Sequence, residues 1–240
     1  DILMGQPEEQ IKADLTYIAD SLKKNGKKVI LQTIPPFDYK DENIENQNIL
    51  HINRLPPRAT VVPSHRSGIY YANKYESHLL RSLNGDFKFK YIEEDTEGDF
   101  YLPDTIDDGW DTIDVPSMWQ YRGYGKPEYP NVRYSIPLLP PYVKKQNPVG
   151  LYRRHFYVDS VAERTLIHFS GVDNAFYVYV NGVQIGFSKG SRVPAEFDVT
   201  NLIRQGENLL AVKVFTYSDG TYLENQDMLL ASGIFRDVFL

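Results

Sequence analysis

The sequence contains no cysteine. That excludes disulfides, thiolate metal sites and a cysteine nucleophile, and it fits a reducing compartment, so a cytoplasmic location is expected. Positive charge is in short supply. The 26 Lys and Arg against 32 Asp and Glu leave a formal charge of −6, which argues against a nucleic-acid partner, because phosphate binding wants a basic face. No apolar run approaches the ~20 residues needed to cross a bilayer, so no membrane span is expected. The five histidines, at 51, 65, 78, 155 and 168, fall at no metal-ligand spacing. His155 and His168 sit in strand-like runs and read as structural. A Gly-rich phosphate loop, a nucleophile elbow and a zinc motif are all missing. What is present is an ordinary globular composition, 42% hydrophobic and 24% charged, with 18 Tyr and 12 Phe. Such aromatic richness suits β-sheets and sugar stacking. The chain starts at Asp1 and stops inside a strand-like run, so it is expected to be a piece of a longer one.

Residues 1–40 read as a helix followed by a strand. Pro7, Glu8 and Glu9 suit a first turn, Ile11, Leu15, Ile18 and Leu22 form one apolar face, and Gly26 caps the end. A strand from Lys27 to Ile34 stops at Pro35-Pro36. One helix and one strand cannot bury both their faces, so this unit belongs to something larger. Residues 41–80 form a polar, proline-punctuated arm. From Arg81 onwards the text changes to short strands with Gly, Asn and Pro between them. Phe87, Phe89 and Tyr91 alternate, and Trp110, Ile113 and Val115 mark a second strand. Leu151–Asp159, Arg164–Phe169, a hairpin of Ala175–Val180 and Val183–Ser188 through Asn181-Gly182, Leu209–Thr216 and Ile234–Leu240 follow. Asp198 caps one helical turn that ends at Gly206. The pattern predicts a mainly β fold, a β-sandwich. From Pro127 to Pro148, both included, there are six prolines, which neither a helix nor a central strand survives, so a long stiff loop is expected there.

Two acids, Glu224 and Asp227, stand between the last strands in a segment with no helical or strand period. From chemistry alone such acids are more often solvated surface than a site. A retaining glycosidase needs two carboxyls ~5–5.5 Å apart, and their closeness in sequence makes Glu224 and Asp227 a tempting pair.

Several segments here resemble the end of the N-terminal sugar-binding domain of β-galactosidases in glycoside hydrolase family 2. They are Asp219-Gly220, Tyr222-Leu223-Glu224, Gln226-Asp227-Met228 and Ser232-Gly233-Ile234-Phe235-Arg236-Asp237-Val238. The resemblance runs from about Asn48 to Leu240. Trp119, Gly123-Tyr124, Tyr129-Pro130-Asn131-Val132 and Tyr134 match the family loop that runs towards the galactose pocket. His51 to Ala59 is similar to the family's N-terminal arm, which reaches to other parts of the enzyme or to another subunit. The resemblance implies a jelly-roll sandwich over residues 81–240, in the substrate-contacting domain of an enzyme that hydrolyses terminal β-D-galactosides such as lactose. It places both catalytic glutamates in a later barrel, so no catalytic residue is expected in this chain. Asn131 and Asp227 match sugar-contacting residues, and Asp227 also matches a Na⁺ ligand. A Mg²⁺ ion of the parent enzyme would have its ligands outside this chain, and the parent would be a homo-oligomer. A free-standing galactose-binding module is the alternative. Residues 228–231 read Met-Leu-Leu-Ala where many relatives have Trp after the Met, which leaves the packing of this loop open. Residues 1–40 resemble, more weakly, the late part of an SGNH (GDSL-type) hydrolase without its Ser nucleophile, oxyanion Asn or Asp-x-x-His, so they read as a non-catalytic remnant.

Overall fold

The computed structural model describes residues 55, 73–96, 98–131, 133–143, 145–224 and 227–240. The helix–strand unit expected over residues 1–40, and most of the arm over 41–80, lie outside them. Eleven strands are formed among the described residues. In chain order they are β1 (Gly85–Ile92), β2 (Asp111–Val115), β3 (Val149–Val158), β4 (Leu166–Phe169), β5 (Val172–Asp173), β6 (Ala175–Val180), β7 (Val183–Ser188), β8 (Ala195–Asp198), β9 (Gly206–Phe215), β10 (Gly233–Ile234) and β11 (Val238–Phe239). One antiparallel sheet has the order β2-β1-β3-β9-β6-β7, and the opposing layer is built from β11-β4-β8 and the short pair β10-β5. This is the β-sandwich that the strand pattern predicts.

Strand alternation explains the packing. Phe87 and Phe89, Tyr152 and Phe156, Phe176, Val178 and Val180, and Leu210, Val212 and Val214 point to one face of the large sheet. There they meet Ile167, Phe169, Phe197, Ile234 and Val238 of the other layer in one buried cluster. The opposite face is covered too. Leu151, Tyr179 and Ala211 pack against Phe100, with Tyr101 and Trp110 alongside, so the segment between β1 and β2 folds over the back of the sheet. Arg153 on β3 points into that layer and is 1% exposed. Its guanidinium donates to Asp107 Oδ2 at 2.7 Å and to the carbonyls of Phe100 and Leu102 at 2.5 and 2.9 Å. A buried guanidinium is tolerable only when paired and hydrogen-bonded in this way.

The hairpin between β6 and β7 turns at Asn181 and Gly182, with φ of 51° and 83°. Both positive values are what a type I′ turn requires. The Asn181 amide also reaches the Leu202 carbonyl at 2.9 Å and so ties the turn to its neighbour. After β8, Asp198 Oδ1 accepts from the Thr200 amide at 3.1 Å, and Ile203 N bonds Val199 O at 3.0 Å, closing the single helical turn expected there. Two features differ from the sequence reading. Strands β5 and β8 were not anticipated, because two and four residues are too short to show an alternation. The run from Ile234 to Leu240 is two short strands, with Asn84 holding the end of the bend between them where β11 begins. Its amide donates to Asp237 Oδ1 at 2.9 Å while its carbonyl accepts from Val238 N at 2.9 Å.

Gly150 shows how tight the core is. A Cβ built there would overlap the Trp119 ring and stand 2.8 Å from Phe89 Cε2. Trp119 is fully buried, so it cannot swing aside. Gly150→Ala is expected to cost about 1–3 kcal/mol through overpacking, measured as a lowered urea midpoint. An unchanged midpoint would mean that Trp119 does not lie on β3.

Candidate functional site

The site is built where β3 and β9 end. Their ladder closes at Val149 opposite Phe215, and side chains carry the pairing further. Asn147 Nδ2 donates to Tyr217 O at 3.0 Å and Tyr217 N donates to Asn147 Oδ1 at 2.9 Å. The proline-rich loop is thereby fixed to the segment after β9. A second tie is the bridge between Glu128 and Leu230, with amide-to-carbonyl distances of 3.0 and 2.7 Å. Lys145 Nζ, 2.9 Å from Glu128 Oε1, donates to the Tyr217 hydroxyl at 2.9 Å, and that hydroxyl donates to Glu128 Oε2 at 3.0 Å. Burial opposes ionisation of Glu128, but the bonds from Ser135, Lys145 and Tyr217 outweigh it and hold its pKa below the ordinary carboxylate value. Under these ties Ile136, Tyr217, Tyr222 and Leu230 form a small apolar core. Leu230 fills part of this core, so the Met-Leu-Leu-Ala segment packs through its second leucine, while Leu229 is 46% exposed.

On this platform the structure brings the two sequence-predicted residues together. Asn131 Nδ2 donates to Asp227 Oδ1 at 3.1 Å. A third residue joins them, and sequence reasoning did not single it out as part of the site. The Tyr129 hydroxyl donates to the same Asp227 oxygen and accepts from Asn131 Nδ2 at 3.2 Å. The signal that could have found it is its place two residues before Asn131 on a stiff loop. Tyr129 and Met228 are exposed beside the acid, giving an apolar rim next to hydrogen-bonding groups. An arrangement of that kind can take a sugar, with C–H faces on the rim and hydroxyls on the amide and carboxylate.

Glu224 is not poised to act with Asp227. Its two oxygens accept from Ser191 N at 3.1 Å and Ser191 Oγ at 2.5 Å, so its task is to hold the loop after β7. Behind it Asp173, 1% exposed, accepts from Arg192 Nη1 at 2.6 Å, and Arg192 Nη2 reaches Met228 Sδ at 3.1 Å. Asp219, also buried, is paired with Lys189 at 2.6 Å, and burial raises its pKa despite that lysine. For a cation, Asp227 offers one hard oxygen, Oδ2, which none of the bonds above occupies. Among the described residues no three His, Asp or Glu side chains cluster as a metal site. The described histidines in strands have acid neighbours, His155 with Glu207 at 2.7 Å and His168 with Glu196 at 2.9 Å. His51 and His65 lie outside the described residues. Among the described residues no helix is long and apolar enough to cross a membrane.

A β-sandwich whose end loops present an acid, an amide and a phenol beside an apolar rim has the make-up of a carbohydrate-recognition domain. Residues 80–240 match the family described as Glycosyl hydrolases family 2, sugar binding domain, and the chain belongs to that family. It is 42% identical over 205 residues to a β-galactosidase of Staphylococcus xylosus, covering 84% of this chain and 20% of that protein. It is also 42% identical to a β-galactosidase of Kluyveromyces lactis, covering 83% of this chain and 19% of that protein. The chain thus spans about a fifth of the length of these relatives. Among solved structures it is similar to a β-glucuronidase from glycoside hydrolase family 2, with a TM-score of 0.51 and 21% identity over 75% of this chain and 18% of that one. At that identity the likeness shows the fold.

Asp173 gives this region a pH signature. Burial pushes its pKa from 3.8 up to about 6, with Arg192 opposing the shift and Glu224 adding to it. A carboxyl raised on folding binds its proton more tightly in the native state, so native stability rises as pH falls through about 6. From about pH 7 to about pH 5 wild type should gain roughly 1 kcal/mol relative to Asp173→Asn, read from paired urea melts. A stability difference constant across that range would show that Asp173 does not titrate there.

Proposed function

We propose that this chain is the N-terminal, substrate-contacting domain of a β-galactosidase that hydrolyses terminal β-D-galactosides such as lactose. The observation that carries this reading is the meeting of Asn131 and Asp227, 96 residues apart in sequence, in one exposed cluster. The family membership and the curated β-galactosidases at 42% identity support it. In this reading the cluster binds galactose through its hydroxyls. Asp227 accepts hydroxyl hydrogen bonds and supplies one oxygen to a Na⁺ ion, a task suited to a hard anionic ligand. The catalytic carboxyls come from outside these 240 residues, since Glu224 is committed to Ser191. A Mg²⁺ held elsewhere, a homo-oligomeric parent and a cytoplasmic location belong to the same reading, the last supported by the lack of cysteine. Residues 1–40 are in this reading an inactive remnant of an SGNH-type hydrolase.

The test uses the full-length protein and a chromogenic β-galactoside. Hydrogen bonds to a charged group are worth roughly 1.5–3 kcal/mol, so Asp227→Asn should lower kcat/KM by about 10- to 150-fold. It should also blunt the response to Na⁺. Asn131→Ala should lower kcat/KM while leaving the Na⁺ response largely intact. The 240-residue chain alone should not turn over the substrate. Turnover by that chain, abolished in Glu224→Gln, would restore the local acids as catalysts. Galactose binding by a full-length protein without hydrolysis would identify a free-standing binding module instead.

A further inference from the structure

The three side chains of the cluster have a direction. A phenol carries one proton, and that of Tyr129 goes to Asp227 Oδ1. The Asn131 amide nitrogen carries two on diverging bonds, and because the Tyr129 oxygen at 3.2 Å and Asp227 Oδ1 at 3.1 Å lie side by side, they share one of them. The phenol proton and one amide N–H are therefore spent inside the triangle. What remains to face a ligand is the second Asn131 N–H and two acceptors, the Asn131 carbonyl oxygen and Asp227 Oδ2, for which no hydrogen bond is formed among the described residues. Two acceptors beside one donor on a stiff platform suit a ligand whose groups both donate and accept, which is what sugar hydroxyls do.

We propose that Tyr129 is a positioning residue for this site. Its hydroxyl fixes the rotation of the Asp227 carboxylate and the flip of the Asn131 amide, and so aims both free oxygens at the galactoside. The proposal rests on the galactose reading above. Tyr129 suits the role because the backbone just before it is pinned. Glu128 is bridged to Leu230, which is three residues from Asp227 on the opposing loop. Without the phenol, the acid and the amide still touch, but neither has a fixed rotamer, and ordering them on binding costs affinity.

The experiment is a double-mutant cycle in the full-length protein, with Tyr129→Phe, Asp227→Ala and the double variant. Three quantities are read: KM and kcat for a chromogenic β-galactoside, the dissociation constant for galactose by calorimetry, and the melting temperature. Tyr129→Phe should weaken galactose binding and raise KM by ~3- to 10-fold, the range for ordering one freed side chain on binding. Melting should be unchanged, because the phenol is exposed. In the Asp227→Ala background the same substitution should have no further effect. If Tyr129→Phe matches wild type while Asp227→Ala weakens binding, the positioning role is wrong and the galactose site stands. A Tyr129→Phe penalty that persists undiminished without Asp227 also overturns it, because the ring then acts on the ligand by itself. If Asp227→Ala has no effect, the galactose reading fails as well.

Discussion

The pairing of β3 with β9 is the constraint on which the rest of this structure depends. These two strands lie at the centre of the larger sheet, and their ladder runs over ten residue pairs from Val149–Phe215 to Val158–Gly206. Over the half of the pair next to the site both faces are buried, one in the main core and the other under the segment that Arg153 holds down. Because nothing there can slide, the two loops that leave the same end start from fixed points. The Asn147–Tyr217 exchange and the Glu128–Leu230 bridge carry that rigidity outward to Tyr129, Asn131 and Asp227. A site on long loops is thus held almost as firmly as one on strands, which is what directional recognition of a sugar needs.

Much of this was legible in the sequence. Alternating aromatics gave away β1, and Asn181-Gly182 marked the hairpin between β6 and β7 to the residue. The density of prolines after Pro127 correctly removed that stretch from the sheets. Asn131 and Asp227 were named through resemblance, and chemistry alone would have left them as surface groups, because an exposed acid carries no local signal of what stands opposite it. The parts that could not be read are long-range. Strand β8 hides behind Glu196, whose carboxylate turns inward to His168 at 2.9 Å. Tyr129 acquires its role only when a loop far along the chain is folded against it. Glu224 looked like half of a catalytic pair by spacing, and only the fold shows both its oxygens taken by Ser191.

The buried ion pairs behind the site differ from the exposed ones in what they do. Arg122 and Asp114 form an exposed pair that solvent screens, and pairs of that kind contribute little to stability. The acids Asp173 and Asp219 are instead taken out of water beside the loop that carries Asp227, the first paired with a part-exposed Arg192 and the second with a mostly buried Lys189. Burying such charges is costly, and breaking one partner leaves the other stranded. Their contribution is to fix the position of the loop that ends in Asp227, and the stability of the domain as a whole rests on the apolar core.

The central claim is that Asp227 and Asn131 form the galactose-facing surface of this domain. The most direct measurement is a crystal structure of the full-length protein soaked with galactose. The account places a galactose hydroxyl within about 3 Å of Asp227 Oδ2 and a second within reach of the Asn131 carbonyl, with Tyr129 still bonded to Oδ1. Galactose bound elsewhere, with Asp227 and Asn131 facing only solvent, would contradict it.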